Sequence, residues 1–221
     1  MSKHRVGMRS LQQITADPQA TAAEIEFLRH AAPQAALQHP NCPMELWWEL
    51  AGSFPLEAMQ SPAGQLFLLE APDRWAALEK EGARDWVDHY VQRLAPVALH
   101  TFALDCAAYA LPIFEKEWPR DKRPRKAIAV TRDWLQGKRN YTERLIAEME
   151  ASKATYNHKK ISTAAYHAAY ATNRGASTQL SHILACIRAA VSAYTGSGAL
   201  VDASVWQWRR LQQYLRGEIA L

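Results

Sequence analysis

The first third of the chain places a proline-marked corner at every 22nd residue. Three dipeptides hold this spacing: Asp17-Pro18, His39-Pro40 and Ser61-Pro62. Proline, and the residue before it, are disfavoured inside a helix, so each pair is expected to end one helix and start a new segment. A fixed period near 20 residues indicates stacked units that bury each other's apolar faces. We therefore expect residues 1–72 to form a helical-repeat region.

Each repeated unit combines a longer helix with a shorter one. The stretch HPNCPMELWWELAGSFPLEAMQSP resembles the variant leucine-rich repeat, an all-helical solenoid unit with an Asn-Pro-x-x-Pro-type corner. The resemblance covers about residues 15–72. Cys42 is the single cysteine of this stretch, so the resemblance implies no iron–sulfur cluster. We expect the chain to need no cofactor.

After Pro72 the pattern changes to longer amphipathic helices. Val, Ile and Thr are sparse beside Ala and Leu, and no segment alternates apolar and polar residues as a half-buried strand does. We expect one helix to end at Gly82, a long one to span 96–117, and another to close at Gly137. Further helices are predicted from Thr142, over Ile161–Asn173 and on both sides of a TGSG turn. The predicted fold is all-α, with the repeat region packed on a multi-helix bundle of residues 73–221.

Residues 95–114 form an apolar run that is about as long as a membrane span. The run contains His100 and Asp105 and lies between amphipathic helices, so we interpret it as a buried central helix. The first residues lack the apolar segment of a secretory signal. Three widely spaced cysteines without a CxxC motif suit a reducing compartment. These features predict a cytoplasmic protein with no membrane partner.

Five cations lie within seven positions near the start of the helix predicted after Trp118-Pro119. These are Arg120, Lys122, Arg123, Arg125 and Lys126. Positive charge is unfavourable at a helix N-terminus, so the cluster needs a reason. Asp105 lies in the most apolar helix, and a buried carboxylate requires a cation or several donors. We expect Arg123 or Arg125 to pair with Asp105, Glu115 or Glu117, and the other cations to be solvated or to meet an acidic partner.

Few other residues suggest chemistry. Asp121 can cap the helix that follows it, and Trp134 belongs to the buried face of that helix with Ala127, Ile128, Thr131 and Leu135. Asp85, Asp88 and His89 share a helix face but have no clear third metal ligand, so a salt-bridge cluster is the simpler interpretation. His158-Lys159-Lys160 is interpreted as a solvated loop, and His167 and His182 as packed or surface residues. We assign no catalytic residue and no metal site.

Residues 98–138 resemble an all-helical family of immunity proteins from bacterial polymorphic toxin systems. The matching positions are Asp105, Cys106, Ala107, Leu111, Pro112, Phe114, Glu115, Pro119, Asp121, Arg123, Pro124, Arg125, Ala127, Ile128, Trp134 and Gly137. A weaker likeness extends to about residue 195. The resemblance implies a protein that binds and neutralises a toxin domain made by the same cell, without catalysis.

The predicted partner surface consists of the exposed members of 120–126, with the Trp47/Trp48 and Trp206/Trp208 strips as further candidates and one ring of each strip in the core. Three other functions remain open. A helical-repeat adaptor would bind peptides, and an enzyme would need a metal or carboxylate site. A nucleic-acid-binding repeat is disfavoured, because residues 1–70 carry a net charge of −3 whereas 71–221 carry +7.

Overall fold

The computed structural model describes residues 9–157, 176–194 and 200–220. Within these ranges the protein contains twelve α-helices, a short 3-10 helix and no strand, which confirms the predicted all-α class. The chain divides into two compact units, Met1–Gly82 and Ala83–Leu221. The predicted helix Ile161–Asn173, the loop 158–160, His167 and the TGSG turn lie outside the described residues.

Six short helices build the first unit. They are α1 (Leu11–Ala16), α2 (Ala22–Ala31), α3 (Pro33–Gln38), α4 (Met44–Ala51), α5 (Pro55–Gln60) and α6 (Pro62–Glu70). Thr21 begins α2 with a capping box, because its hydroxyl accepts from the Glu24 N–H and the Glu24 carboxylate accepts from the Thr21 N–H. Proline starts α3, α5 and α6, where its missing N–H leaves no helical bond unmade.

The first two proline corners of the first unit bond to each other across the 22-residue spacing. The His39 ring donates from Nε2 to the Asp17 carbonyl oxygen at 3.0 Å, and the Asn41 side chain donates to the Pro18 carbonyl oxygen at 2.6 Å. The short helices α3 and α5 also begin 22 residues apart and have equal lengths. The resemblance to the variant leucine-rich repeat stays a prediction.

Trp47 is the centre of the first unit's core. Its ring is fully buried, packs edge-on against Trp48, and donates from Nε1 to the Ser61 hydroxyl at 3.0 Å. The same hydroxyl accepts from the Gly64 N–H at 2.9 Å and so caps α6. This contact needs a glycine, because a Cβ atom at position 64 would lie 1.9 Å from the Ala58 carbonyl oxygen.

The helix α7 (Pro72–Tyr90) runs through Gly82, so the predicted break at this glycine is wrong. Residue 72, where the sequence places a domain boundary, is the first residue of this helix. A glycine inside a helix costs about 1 kcal/mol relative to alanine. Burial of Ala83, Trp86 and Val87 directly after it outweighs that cost.

The second unit is organised around one long helix. Its elements are a 3-10 helix (Val91–Arg93), α8 (Pro96–Glu117), α9 (Arg123–Leu135), α10 (Tyr141–Asn157), α11 (Ala176–Ser192) and α12 (Leu200–Leu215). Helix α8 packs against α9, α11 and α12, and α9 packs against α10. Among the described residues α8 is the one helix whose length and apolar composition suffice to cross a membrane. Within the protein 61% of that stretch is buried, as in a core helix.

Local capping interactions set the end of α9 and the start of α10. Gly137 has φ of +71° and donates its N–H to the Trp134 carbonyl oxygen at 2.9 Å, so the predicted glycine cap of α9 is confirmed. Thr142 does not open the next helix. Asn140 caps it instead, because the Asn140 side chain accepts from the Glu143 N–H and the Glu143 carboxylate accepts in return from the Asn140 N–H.

We predict that Gly64→Ala lowers the free energy of unfolding by about 2 kcal/mol or more, since the new methyl group must displace backbone atoms of α5. Urea denaturation followed by circular dichroism measures the change. Gly52→Ala is the matched control, because the nearest atoms to its added Cβ lie at 3.8 Å and its φ is −62°. Equal stability of the two variants would contradict this account of Gly64.

Candidate functional site

The five predicted cations lie on the loop between α8 and α9 and on the first turn of α9. Asp121 organises this turn, because its carboxylate accepts from the Arg123 N–H at 3.1 Å and from the Arg123 guanidinium at 2.9 and 2.6 Å. Arg123 is therefore tied to its own loop. Arg120, Lys122, Arg125 and Lys126 are exposed.

Glu115 on α8 holds Arg125 across the helix pair. The Arg125 guanidinium donates through Nε to Glu115 Oε1 at 2.6 Å and through Nη2 to Oε2, while Lys122 Nζ approaches Oε1 at 3.4 Å. The hydrogen bonds from Arg125 hold the pKa of Glu115 at about 2. One carboxylate thus bonds to two cations, and the group of Glu115, Lys122 and Arg125 has a net charge of +1. The predicted Arg125–Glu115 pair is present.

Asp105 is 9% exposed and has partners that the sequence analysis did not name. Arg132 donates to Oδ1 at 2.7 Å, whereas Arg210 Nε and the Tyr214 hydroxyl donate to Oδ2 at 2.8 Å each. Burial, with the hydrogen bond to Asp105, raises the pKa of Tyr214 well above its usual range. Three helices, α8, α9 and α12, therefore meet at one carboxylate.

Of the predicted alternatives, the Arg125–Glu115 pair is the one that forms, and Asp105 pairs with neither Arg123 nor Arg125 for a geometric reason. Asp105 lies ten residues before Glu115 on α8, which places it about 15 Å further along the helix axis. Arginines at the start of α9 contact the end of α8, where Glu115 lies. Because α9 runs back along α8, Arg132 near its far end is the residue that arrives beside Asp105.

A groove lies between α8 and α9, in the stretch between the Glu115–Arg125 pair and the Asp105–Arg132 pair. Its α8 side is formed by Ala108, Leu111 and Pro112, and its α9 side by Ile128 and Ala129. Arg125 and Arg132 complete the lining, and the groove volume is about 180 Å³. We name this feature the α8–α9 groove. It is an apolar depression with a guanidinium at each end.

The aromatic candidates divide between core and surface. Trp47 and Trp48 are both buried in the first unit, so the expectation that one of these rings is available to a partner is wrong. In the second strip Trp208 is buried, which agrees with the prediction that one of its two rings lies in the core. Trp206 is half-buried and stacks on Tyr109 with ring centroids 3.9 Å apart. Trp134 is also only half-buried.

Arg144 is a buried cation that sequence reasoning missed. Its guanidinium lies 5.4 Å from the centroid of the Trp134 ring and donates to Glu148 at 2.9 Å. The Arg144–Glu148 spacing of four residues on one helix was the available signal. Ala127 on α9 and Ala147 and Ala151 on α10 form a small-residue contact that brings the two helices together around this cation.

Residues 91–214, which cover more than half of the chain, match the family described as "Imm-5 like putative immunity protein". The chain belongs to this Imm-5 like family. The match contains the Asp105 cluster, the Glu115–Arg125 pair and the α8–α9 groove. Immunity-protein families imply a partner toxin in general and are generally non-enzymatic. No curated protein and no solved structure matches the chain.

On the helix face that carries Asp85, Asp88 and His89, one residue forms an ion pair. Asp88 accepts from Arg188 of α11 at 2.8 Å, while Asp85 and His89 are exposed. Within the described ranges no group of three or more His, Cys, Asp or Glu side chains is placed to hold a metal ion.

We predict that Asp105→Asn lowers the free energy of unfolding by about 2–3 kcal/mol, because it removes the charge that pairs with two arginines. Chemical denaturation at pH 7 measures the effect. Asp133→Asn on α9 is the control, since Asp133 is 39% exposed and meets Arg139 only at 3.4 Å. A change within about 0.5 kcal/mol is expected for the control. Two equal values would show that the buried carboxylate is not a structural centre.

The Glu115–Arg125 pair predicts a specific pH dependence. The Glu115 pKa is about 2 in the folded protein against an ordinary value of 4.5, so its stabilisation is fully present above about pH 5. It is lost as the pH falls from 4.5 towards 2. Wild type is expected to be about 1 kcal/mol more stable than Glu115→Gln at pH 7 and no more stable near pH 2. A difference between the two proteins that does not shrink at low pH would contradict this assignment.

Proposed function

We propose that this protein binds the toxin domain of its own system and neutralises it by protein–protein interaction. Membership of the immunity family is the observation that carries the proposal. The described geometry adds support, because Asp105, Glu115 and Asp121 each bond to cations of the protein itself. Carboxylates used in this way stabilise the fold and are not free for acid–base chemistry. We infer that the protein inhibits the toxin by binding to it rather than by catalysing a reaction.

The exposed cations at the start of α9 form the surface that we assign to the partner. We name Arg120, Lys122, Arg125 and Lys126 the basic surface. Residues 120–126 contain five cations and one acid, a net charge of +4. Complementary charge accelerates association and rejects partners of the same sign. The surface therefore favours an acidic face on the toxin and disfavours a strongly basic toxin. Arg123 is left out of the basic surface, because Asp121 neutralises it.

A reducing compartment fits the state of the cysteines. Cys42, Cys106 and Cys186 are buried thiols that form no disulfide bond, and burial raises the pKa of Cys42 to about 11 and that of Cys106 well above its ordinary value. Buried thiols with raised pKa values are unreactive. We propose a cytoplasmic location, where an immunity protein meets a toxin made by the same cell.

Co-expression with the toxin domain encoded in the neighbouring reading frame tests the function. Wild type is expected to co-purify with that domain at equal stoichiometry and to restore growth of the host. The charge reversals Arg120→Glu and Lys126→Glu, made together, are expected to slow association at least about tenfold and to flatten its salt dependence. Arg139→Glu and Lys153→Glu are the matched pair elsewhere on the bundle and should change the association rate less.

Two results would contradict the proposal. If the toxin domain is not retained and growth is not restored, the protein does not act by binding that toxin, and the peptide-binding adaptor becomes the better account. If the protein instead binds duplex DNA with an affinity that falls steeply with salt, the basic surface serves phosphates and the nucleic-acid alternative is favoured.

A further inference from the structure

The α8–α9 groove combines an apolar floor with open walls. Leu111 and Ile128 are each 4% exposed and form the floor, whereas Pro112 and Ala129 are exposed at the rim. Its volume is about 180 Å³, and an apolar cavity of about 150 Å³ accommodates a benzene ring. The groove therefore has room for one aromatic or branched aliphatic side chain from a partner.

The two arginines that line the groove lie on almost the same face of α9. Arg125 and Arg132 are seven residues apart on α9, which is about 10 Å along the axis and almost the same helical face. Their side chains are 58% and 42% exposed, so both guanidiniums reach solvent although each is bonded to a carboxylate of α8. Holding a side chain in place before binding reduces the entropy lost on association.

Both ends of the groove remain positively charged after the internal pairs are counted. Glu115 contacts Lys122 as well as Arg125, and Asp105 contacts Arg210 as well as Arg132. Each carboxylate thus meets two cations and leaves a net charge of about +1 at its end. The ends of the groove attract negative charge, while its floor is apolar.

Pro112, which lines the groove, leaves one carbonyl oxygen of α8 without its usual helical donor. Proline has no N–H, so the carbonyl oxygen of Ala108 lacks the donor that a helix supplies four residues later. Ala108 also lines the groove. A Tyr or Trp side chain supplies both an apolar ring for the floor and a donor for such an oxygen.

We propose that the α8–α9 groove is the anchor site for the toxin, and that it takes an acidic helix with an aromatic side chain between two carboxylates. The proposal rests on the proposed function and specifies its contact. Carboxylates at positions i and i+7 of the toxin helix match the spacing of Arg125 and Arg132, and a ring at i+3 or i+4 reaches the floor. A nucleic acid would contact the basic surface through phosphates and would not need the apolar floor.

Affinity for the purified toxin domain, measured by titration calorimetry and by surface kinetics, tests the proposal. Ala129→Trp fills the groove and Arg125→Gln removes one anchor. Each is expected to weaken binding at least about tenfold, mainly through faster dissociation. Ala77→Trp places the same ring on an exposed alanine of α7, and Lys138→Gln removes an exposed charge that belongs neither to the groove lining nor to the basic surface. Both controls are expected to stay within about threefold of wild type.

The outcomes separate the two proposals. If wild type binds the toxin domain and Ala129→Trp binds it equally well, the groove is not the anchor and the proposed function stands. If wild type does not bind the toxin domain, the proposed function fails and the groove proposal fails with it. Thermal denaturation of every variant checks the fold, and Ala129→Gln, with a smaller exposed side chain, is expected to retain more affinity than Ala129→Trp.

Discussion

The carboxylate of Asp105 is the constraint on which the second unit depends. A buried charge without a partner is very unfavourable, so α8 folds stably only when cations and donors arrive beside residue 105. They come from Arg132, 27 residues later, and from Arg210 and Tyr214, more than 100 residues later. Apolar contacts alone would allow α9 and α12 to slide along α8 at small cost. The hydrogen bonds to Asp105 accept only one register, and that register also sets Glu115 beside Arg125.

The same bonds that satisfy folding shape the surface that we propose for binding. Each of the two carboxylates facing α9 meets two cations, so neutralisation is incomplete and positive charge remains on the outside. Arg125 and Arg132 are ordered by their carboxylates although they are partly exposed. In an ordinary basic patch, association must first immobilise flexible side chains, at about 0.5–1.5 kcal/mol each. Here that ordering belongs to the folded state, which is why we propose Arg125 and Arg132 rather than Arg120 or Lys126 as the anchors.

Local sequence rules predicted what local forces determine. The bounds of α8 follow from Pro96 and from Trp118-Pro119, and the end of α9 follows from the left-handed conformation of Gly137. The Arg125–Glu115 pair was predictable because ten residues and one tight corner separate its members. Two acids, Asp105 and Glu115, lie ten residues apart on α8, and two arginines, Arg125 and Arg132, lie seven residues apart on α9. This pattern of opposite charges was also an available signal for an antiparallel pair of helices. Arg210 and Tyr214 gave no such signal, since a partner 105 residues away depends on how α12 packs.

The structural roles of the motif residues bear on which surface positions are available to select the proposed toxin. Asp105, Glu115 and Asp121 make hydrogen bonds within the protein, and Gly137 ends a helix, so these residues specify the fold rather than the partner. The exposed positions between them are not constrained in this way. A change at Ala129 alters the depth of the groove, while the pairing of both arginines remains intact. If the groove is the anchor site as proposed, changes at a few rim residues alter the partner without rebuilding the core.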